Sequence, residues 1–171
     1  MNTSPAMREL TFTFRERLVL VPVELVGALK PLFISGSLLF LLVTLLGRFS
    51  PNAGLMALIA YLGAALAGIV AGPLFLPWLP GRSFAVKGAV AGLAWSTAWY
   101  QLAGGDDWRM ATTIAAFLAL PAVSAFFTLN FTGSTPFTSR TGVKKEMRLS
   151  LPVMGLLIAG SGLVWLGGRL F

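Results

Sequence analysis

Five long apolar runs separated by short polar ones set the pattern of this chain, at residues 31–47, 54–76, 84–102, 110–129 and 151–168. None alternates with the period of two that marks a half-buried strand. Each is long enough, or nearly so, to cross about 30 Å of hydrocarbon as a helix rising 1.5 Å per residue. The pattern predicts an all-α fold, a five-helix transmembrane bundle. The first run is short for a full crossing, so residues ahead of it are expected to lengthen it.

Those residues, FRERLVLVPVELVGALK at 14–30, mix charge with apolar positions at helical spacing. Arg15, Arg17 and Lys30 suit a headgroup layer while Leu18, Leu25 and Leu29 point inward, which predicts an N-terminal amphipathic interfacial helix whose regularity Pro22 limits. Residues 1–30 therefore form a polar N-terminus with an interfacial helix, and residues 31–171 a five-span membrane domain with a polar loop at 130–150. Pro22, Glu24 and Lys30 interrupt the first apolar stretch, so it does not read as a cleaved leader.

Punctuation inside and between the runs refines the picture. Pro73, Pro77 and Pro80 should end the second helix, and Pro121 should kink the fourth, with Ser124 and Thr128 placed to satisfy freed carbonyls. Gly63, Ala67, Gly68 and Gly72 in the second run, Gly88 and Gly92 in the third, and Gly155, Ala159, Gly160 and Gly162 in the fifth predict close helix packing. Trp78 and the group Trp95, Trp99 and Tyr100 read as interfacial aromatics.

Composition strengthens the membrane reading. Of 171 residues, 56% are hydrophobic and 11% charged, and the mean hydropathy is +0.81, whereas a soluble domain carries about a quarter charged residues. The net charge of +7 would suit nucleic acid in a soluble protein, but here it follows from where the cations lie. Arg8, Arg15, Arg17, Lys30, Arg82, Lys87, Arg140, Lys144, Lys145 and Arg148 fall on one side of the five crossings. Only Arg48, Arg109 and Arg169 fall on the other. By the positive-inside rule the N-terminus and the 130–150 loop are cytoplasmic and the C-terminus lies outside.

The chain has no cysteine and no histidine, which removes disulfides, thiolate nucleophiles, imidazole bases and most soft-metal sites. Within the five runs there is no Asp or Glu, so a proton or ion relay is disfavoured. Ser96, Thr97, Gln101, Thr112 and Thr113 leave a neutral pore as a rival. Glu24 sits among apolar residues and can pair with a cation on its own side. Asp106 and Asp107 beside Arg109 read as a solvated turn.

One stretch concentrates polar chemistry: LNFTGSTPFTSRTGVKKEMR at 129–148. Asn130, Thr132, Gly133, Ser134, Thr135, Thr138, Arg140, Lys144, Lys145 and Arg148 are the candidate partner-docking or cofactor-binding residues. Gly133, Pro136 and Gly142 can turn amides and hydroxyls toward one acceptor, and the cations can add charge-assisted bonds to a phosphate, a carboxylate or a protein face. The plainer alternative is a solvated turn followed by a short basic helix at 143–149 on anionic headgroups. The match of Asn130-Phe131-Thr132 to a glycosylation acceptor is accidental in a cytoplasmic loop flush with the membrane.

Three segments in this order, RERLVLVPVELVGALK, LPGRSFAVKGA and NFTGSTPFTSRTGVKKEMR, resemble the C-terminal membrane domain of the mercury-methylating corrinoid family HgcA. The resemblance covers nearly the whole chain and is most specific in the loop, where Asn130, Thr132, Gly133, Thr135, Thr138, Gly142, Lys144, Glu146 and Arg148 match. It implies a bacterial or archaeal cytoplasmic membrane protein that positions a corrinoid-binding domain and a ferredoxin-like iron–sulfur protein, without nucleic acid. It implies no catalytic residue, metal ligand or cofactor for this chain alone, because cobalt ligation in the family rests on a cysteine-bearing domain and this chain has no cysteine. The corrinoid (cobalamin) is expected in the associated domain, whether that domain belongs to the same polypeptide or to a separate subunit. A channel or uptake route for a neutral or mercury species, and a structural assembly protein, are the rival expectations. Missing thiols count against mercury uptake.

Overall fold

The computed structural model describes residues 14–80, 83–131 and 140–170, and among them every long element is a helix. The five are α1 (Phe14–Leu46), α2 (Pro51–Leu74), α3 (Phe84–Leu102), α4 (Met110–Phe131) and α5 (Arg140–Leu170). A single 3₁₀ turn, Gly105–Asp107, joins α3 to α4.

The change in hydropathy near residue 30 is not a break in the backbone. The amphipathic segment and the first apolar run form one helix of 33 residues that passes through Pro22 and Pro31. Each proline forfeits one amide donor, and in an apolar setting no water competes for the remaining helical bonds. Ser35 Oγ donates to Pro31 O at 2.6 Å, and Tyr61 OH of α2 lies 2.6 Å from the same hydroxyl. Likewise the basic segment after residue 140 and the last apolar run are one 31-residue helix through Pro152.

Ser50 caps α2, its hydroxyl accepting from Ala53 N–H at 3.4 Å, with Pro51 at the first turn where its missing amide costs nothing. From Ala67 to Ala71 the helix widens into a π turn. There Gly72 N–H reaches back to Ala67 O, and Pro73 has no N–H to offer, so Gly68 O has lost its donors within the helix. Thr128 of α4 replaces them. Its Oγ1 lies 2.9 Å from Gly68 O and 3.0 Å from Ser124 O, and the residue is fully buried. Thr128, expected to serve a carbonyl freed by Pro121 in its own helix, instead serves one freed in α2, and Ser124 Oγ, also expected to serve, is buried without a partner among the described residues.

The central element is α4, which packs on α2, α3 and α5. Along it α3 runs antiparallel, with Gly88 against Ala125 and Thr128, Gly92 against Pro121 and Ser124, and the Tyr100 ring 6.2 Å from that of Phe117. Trp95, expected among the interfacial aromatics, packs between helices. Its ring covers Gly63 of α2 and its Nε1 donates to Ala60 O at 2.9 Å, stacked on Trp99 at 5.9 Å, so it wedges α3 onto α2. The glycines of α5 also depart from expectation: Gly155, Gly160 and Gly162 meet nothing within 4 Å and pack no described helix.

Large and small residues are distributed inside-out relative to a soluble domain. Ala64, Ala65, Ser124 and Thr128 are sealed between helices, while Phe33, Leu156 and Leu163 are more than 70% exposed on the outer faces of α1 and α5. Small interior residues let backbones approach, and bulky aliphatics suit lipid. Four helices, Arg17–Leu46, Pro51–Leu74, Met110–Asn130 and Lys144–Leu170, are long and apolar enough to cross a membrane. The fifth, α3, is less apolar and is flanked by α2 and α4. This is the construction of a multi-pass membrane protein.

Candidate functional site

At one end of the bundle, the N-terminus of α3 meets the start of α5. Ser83 is the N-cap, in extended conformation, and its hydroxyl accepts from Val86 N–H at 3.3 Å. The same hydroxyl donates to Glu146 Oε1 at 2.7 Å, and Ala85 N–H donates to that oxygen at 2.9 Å. A carboxylate from α5 thus completes the cap of α3, where the unpaired amides and the helix dipole both favour negative charge.

Two cations at this end meet the C-terminus of α2 and the turn that follows it. Arg17 Nη1 donates to Leu74 O at 3.3 Å, and Lys87 Nζ donates to Leu76 O. Lysine and arginine on the last carbonyls of a helix are the complementary arrangement. Met147, next to Glu146, packs with Ala85, Ala122, Ala125, Leu129 and Met154. Glu146 and Met147 therefore form the anchored face of the start of α5.

Lys144, Lys145 and Arg148 lie on the other face and are exposed. Lys144 and Arg148 are one helical turn apart and Lys145 is adjacent, so the three make one cationic strip held by a rigid helix. Asn130 is exposed at the end of α4, the helix against which α5 packs. Arg140 is the first residue of α5, and its side chain lies outside the described residues, as do Thr132, Gly133, Ser134, Thr135 and Thr138 entirely.

Lys30, expected at the headgroup level of Arg15 and Arg17, lies midway along the continuous α1, but the cations near helix ends separate as their order in the sequence suggests. Arg17, Lys87, Lys144, Lys145 and Arg148 share the end just described, whereas Arg48, Arg109 and Arg169 gather around one cavity at the other. Of the proposed pore residues, Ser96 Oγ donates to Gly92 O at 2.8 Å and Thr97 Oγ1 to Leu93 O at 2.9 Å, each within its own helix. Ser96 is buried while Thr97 and Gln101 are exposed, so these side chains do not line a common lumen. Glu24 is half-buried on α1, and Asp106 accepts from Tyr100 OH at 3.1 Å in the exposed turn.

Sequence reasoning missed the structural role of Glu146. Ser83 before an apolar run was a visible cap signal, but nothing local points to an acid 63 positions away. No group of three or more acids, histidines or cysteines that could hold a metal occurs among the described residues. No family model, curated protein or solved structure matches the chain. What the described residues of the site offer is an exposed cationic surface beside an anchored helix junction, with hydrogen-bond donors and charge.

Proposed function

We propose that this chain is the membrane-embedded domain or subunit of a corrinoid-dependent methyltransferase system acting on mercury. On this reading it docks the corrinoid-binding protein and its ferredoxin-like reductant at the cytoplasmic membrane face. The observation that carries the reading is the division of α5 into two faces. Glu146 and Met147 fix the helix to the bundle, so Lys144, Lys145 and Arg148 point away from it on an anchored support. A cationic strip so held suits an acidic protein surface, where complementary charge sets orientation and encounter rate. The sequence around it is also the part of the chain with the most specific resemblance to the mercury-methylating family.

The chain's residues do not fit cobalt ligation, since it has neither histidine nor cysteine. The corrinoid, and with it the methyl-transfer chemistry, therefore belongs to the partner. The contribution of this chain is to hold that partner at the membrane in one orientation, which reduces the entropy lost when the reactants meet.

The test is affinity purification of the tagged chain from its native membrane, with identification of co-purifying proteins and assay for cobalamin. Recovery of a corrinoid protein together with an iron–sulfur protein is the expected result. Consistent recovery of neither, from membranes that contain both, overturns the reading.

A further inference from the structure

At the end of the bundle opposite Glu146, three arginines line a single cavity of about 370 Å³: Arg48 after α1, Arg109 before α4 and Arg169 at the end of α5. Among the described residues no acidic side chain lines it. Asp106 and Asp107, the nearest acids in sequence, sit in the exposed turn and take no part in the lining. Ser50 and Thr112 add hydroxyls, and both lie in first turns or caps of helices (α2 and α4), whose amide ends favour negative charge.

Two of the arginines are braced by helix C-termini. Arg109 Nη1 donates to Gly168 O at 2.8 Å. Arg169 Nη1 donates to Leu46 O at 3.5 Å, with its guanidinium 4.5 Å from the centre of the Trp165 ring. Each guanidinium carries five N–H donors in a fixed fork, so these bonds position the groups and leave most donors unspent. Arg48 makes no hydrogen bond with the described residues. It and Phe49 adopt φ of 59° and 56°, a left-handed conformation that bulky residues rarely take, and this turn brings Arg48 to the cavity wall.

Three like charges around one concavity repel one another, and while helix C-termini account for the positions of Arg109 and Arg169, no helix carbonyl accounts for that of Arg48. An anion relieves that repulsion and takes up the unused donors. We propose that the cavity between Arg48, Arg109 and Arg169 is a binding site for a phosphoryl group. Its size suits a headgroup-sized ligand, and arginine forks match phosphate oxygens two at a time. The group can come from a phospholipid headgroup, because helix ends of a membrane bundle lie at that level, or from a free phosphate.

The test uses the intact protein in nanodiscs of a galactosyl diacylglycerol, a lipid without phosphate, and reads thermal unfolding. One arm adds phosphatidylglycerol to the disc and the other adds inorganic phosphate to the buffer. A rise in Tm with phosphatidylglycerol alone identifies a lipid site, and a rise with millimolar phosphate identifies a free-anion site. Either supports the proposal, provided Arg48→Asn weakens the effective affinity about tenfold, the loss expected for one charge-assisted contact. Asparagine tolerates the left-handed backbone, and Arg48 holds up no described carbonyl, so this variant should keep the fold. Arg15→Gln, which removes one exposed charge from the other end and lies outside the docking strip, should respond as wild type does. If the wild type responds to neither addition, or if Arg48→Asn responds as fully as wild type, the site does not bind phosphoryl groups.

Discussion

Glu146 Oε1 accepts the backbone N–H of Ala85 at 2.9 Å, joining residues 61 positions apart and fastening the start of α5 to the first turn of α3. The bond is of ordinary length, involves a carboxylate and lies at the positive end of a helix. Removing it should cost more than an exposed ion pair would. Glu146→Ala is expected to destabilise the protein by about 1 kcal/mol, the usual loss for a helix cap. Glu146→Gln should lose less, because its amide oxygen can still accept. Hydrogen exchange at the Ala85 and Val86 amides, together with thermal unfolding in detergent, checks this. Equal protection in Glu146→Ala and wild type would show that the contact does not support the cap.

Thr128 closes the gap that the π turn of α2 opens, which makes its hydroxyl more consequential than its size suggests. Thr128→Val keeps the shape but leaves Gly68 O buried without a donor, at a cost of about 1–3 kcal/mol. Thr128→Ser keeps the donor and should stay within about 1.5 kcal/mol of wild type, the loss being the missing methyl. The paired unfolding measurements decide the point, and a Val variant as stable as the Ser variant would contradict it.

The glycines divide sharply by position. A Cβ at Gly92 would lie 2.6 Å from Pro121 Cα, a backbone atom that cannot step aside, whereas a Cβ at Gly160 would meet nothing within 4 Å. Gly92→Ala should therefore cost about 1–3 kcal/mol from overpacking. Gly160→Ala should be neutral or stabilising by up to about 1 kcal/mol, since alanine favours the helix. Comparison of the two midpoints at equal expression is sufficient. Marked destabilisation by Gly160→Ala would mean that α5 uses its glycine face against another surface.

How much of this was legible in the sequence depends on the range of the interaction that decides each feature. The bounds of α3 could be read to the residue, because Ser83 caps its start and Gly104, with φ of 66°, follows its end. The bounds of α1 and α5 could not. Hydropathy reports the surroundings of a residue, and a helix can leave the headgroups for the hydrocarbon without interrupting its hydrogen bonds. The small-residue runs promised close packing in three helices. Only contact with α4 distinguishes Gly88 and Gly92, which need it, from Gly155 and Gly160, which do not. Within the candidate site, the exposed Lys144, Lys145 and Arg148 were visible as a basic cluster. Their fixed orientation depends on Glu146 and Met147, whose partners lie far along the chain. Arg48, Arg109 and Arg169 entered only as the minority in a charge count, because their convergence exists only after the helices assemble.

That same charge count makes a prediction about sidedness. The chain has no native cysteine, so single substitutions can be labelled without background. Asp107→Cys lies in the exposed turn after α3 and Lys145→Cys on the strip near the start of α5. In intact cells a membrane-impermeant maleimide should modify Asp107→Cys and leave Lys145→Cys unmodified until lysis. Labelling of both in intact cells would refute the assigned orientation.

The cationic strip carries the docking proposal, and its charges can be reversed without disturbing the anchored face. Lys144→Glu, Lys145→Glu and Arg148→Glu together should leave insertion and folding intact, because the three side chains are exposed while Glu146 and Met147 keep α5 in place. Association with a corrinoid-binding domain supplied in trans should nevertheless fall by at least tenfold. Raising ionic strength should weaken the wild-type complex in the same direction, since exposed charges are screened over roughly 8–10 Å near physiological salt. On the reversed variant it should act the other way and partly restore binding, because the salt then screens repulsion between the new carboxylates and the acidic partner. A second variant, with Thr132, Thr135 and Thr138 replaced by Val, removes loop hydroxyls without changing charge, so any loss it causes should be insensitive to salt. The measurement is binding at matched membrane abundance over a salt series. If the charge-reversed protein binds as tightly as wild type at low salt, the strip is not the docking surface and its cations serve the lipid headgroups instead.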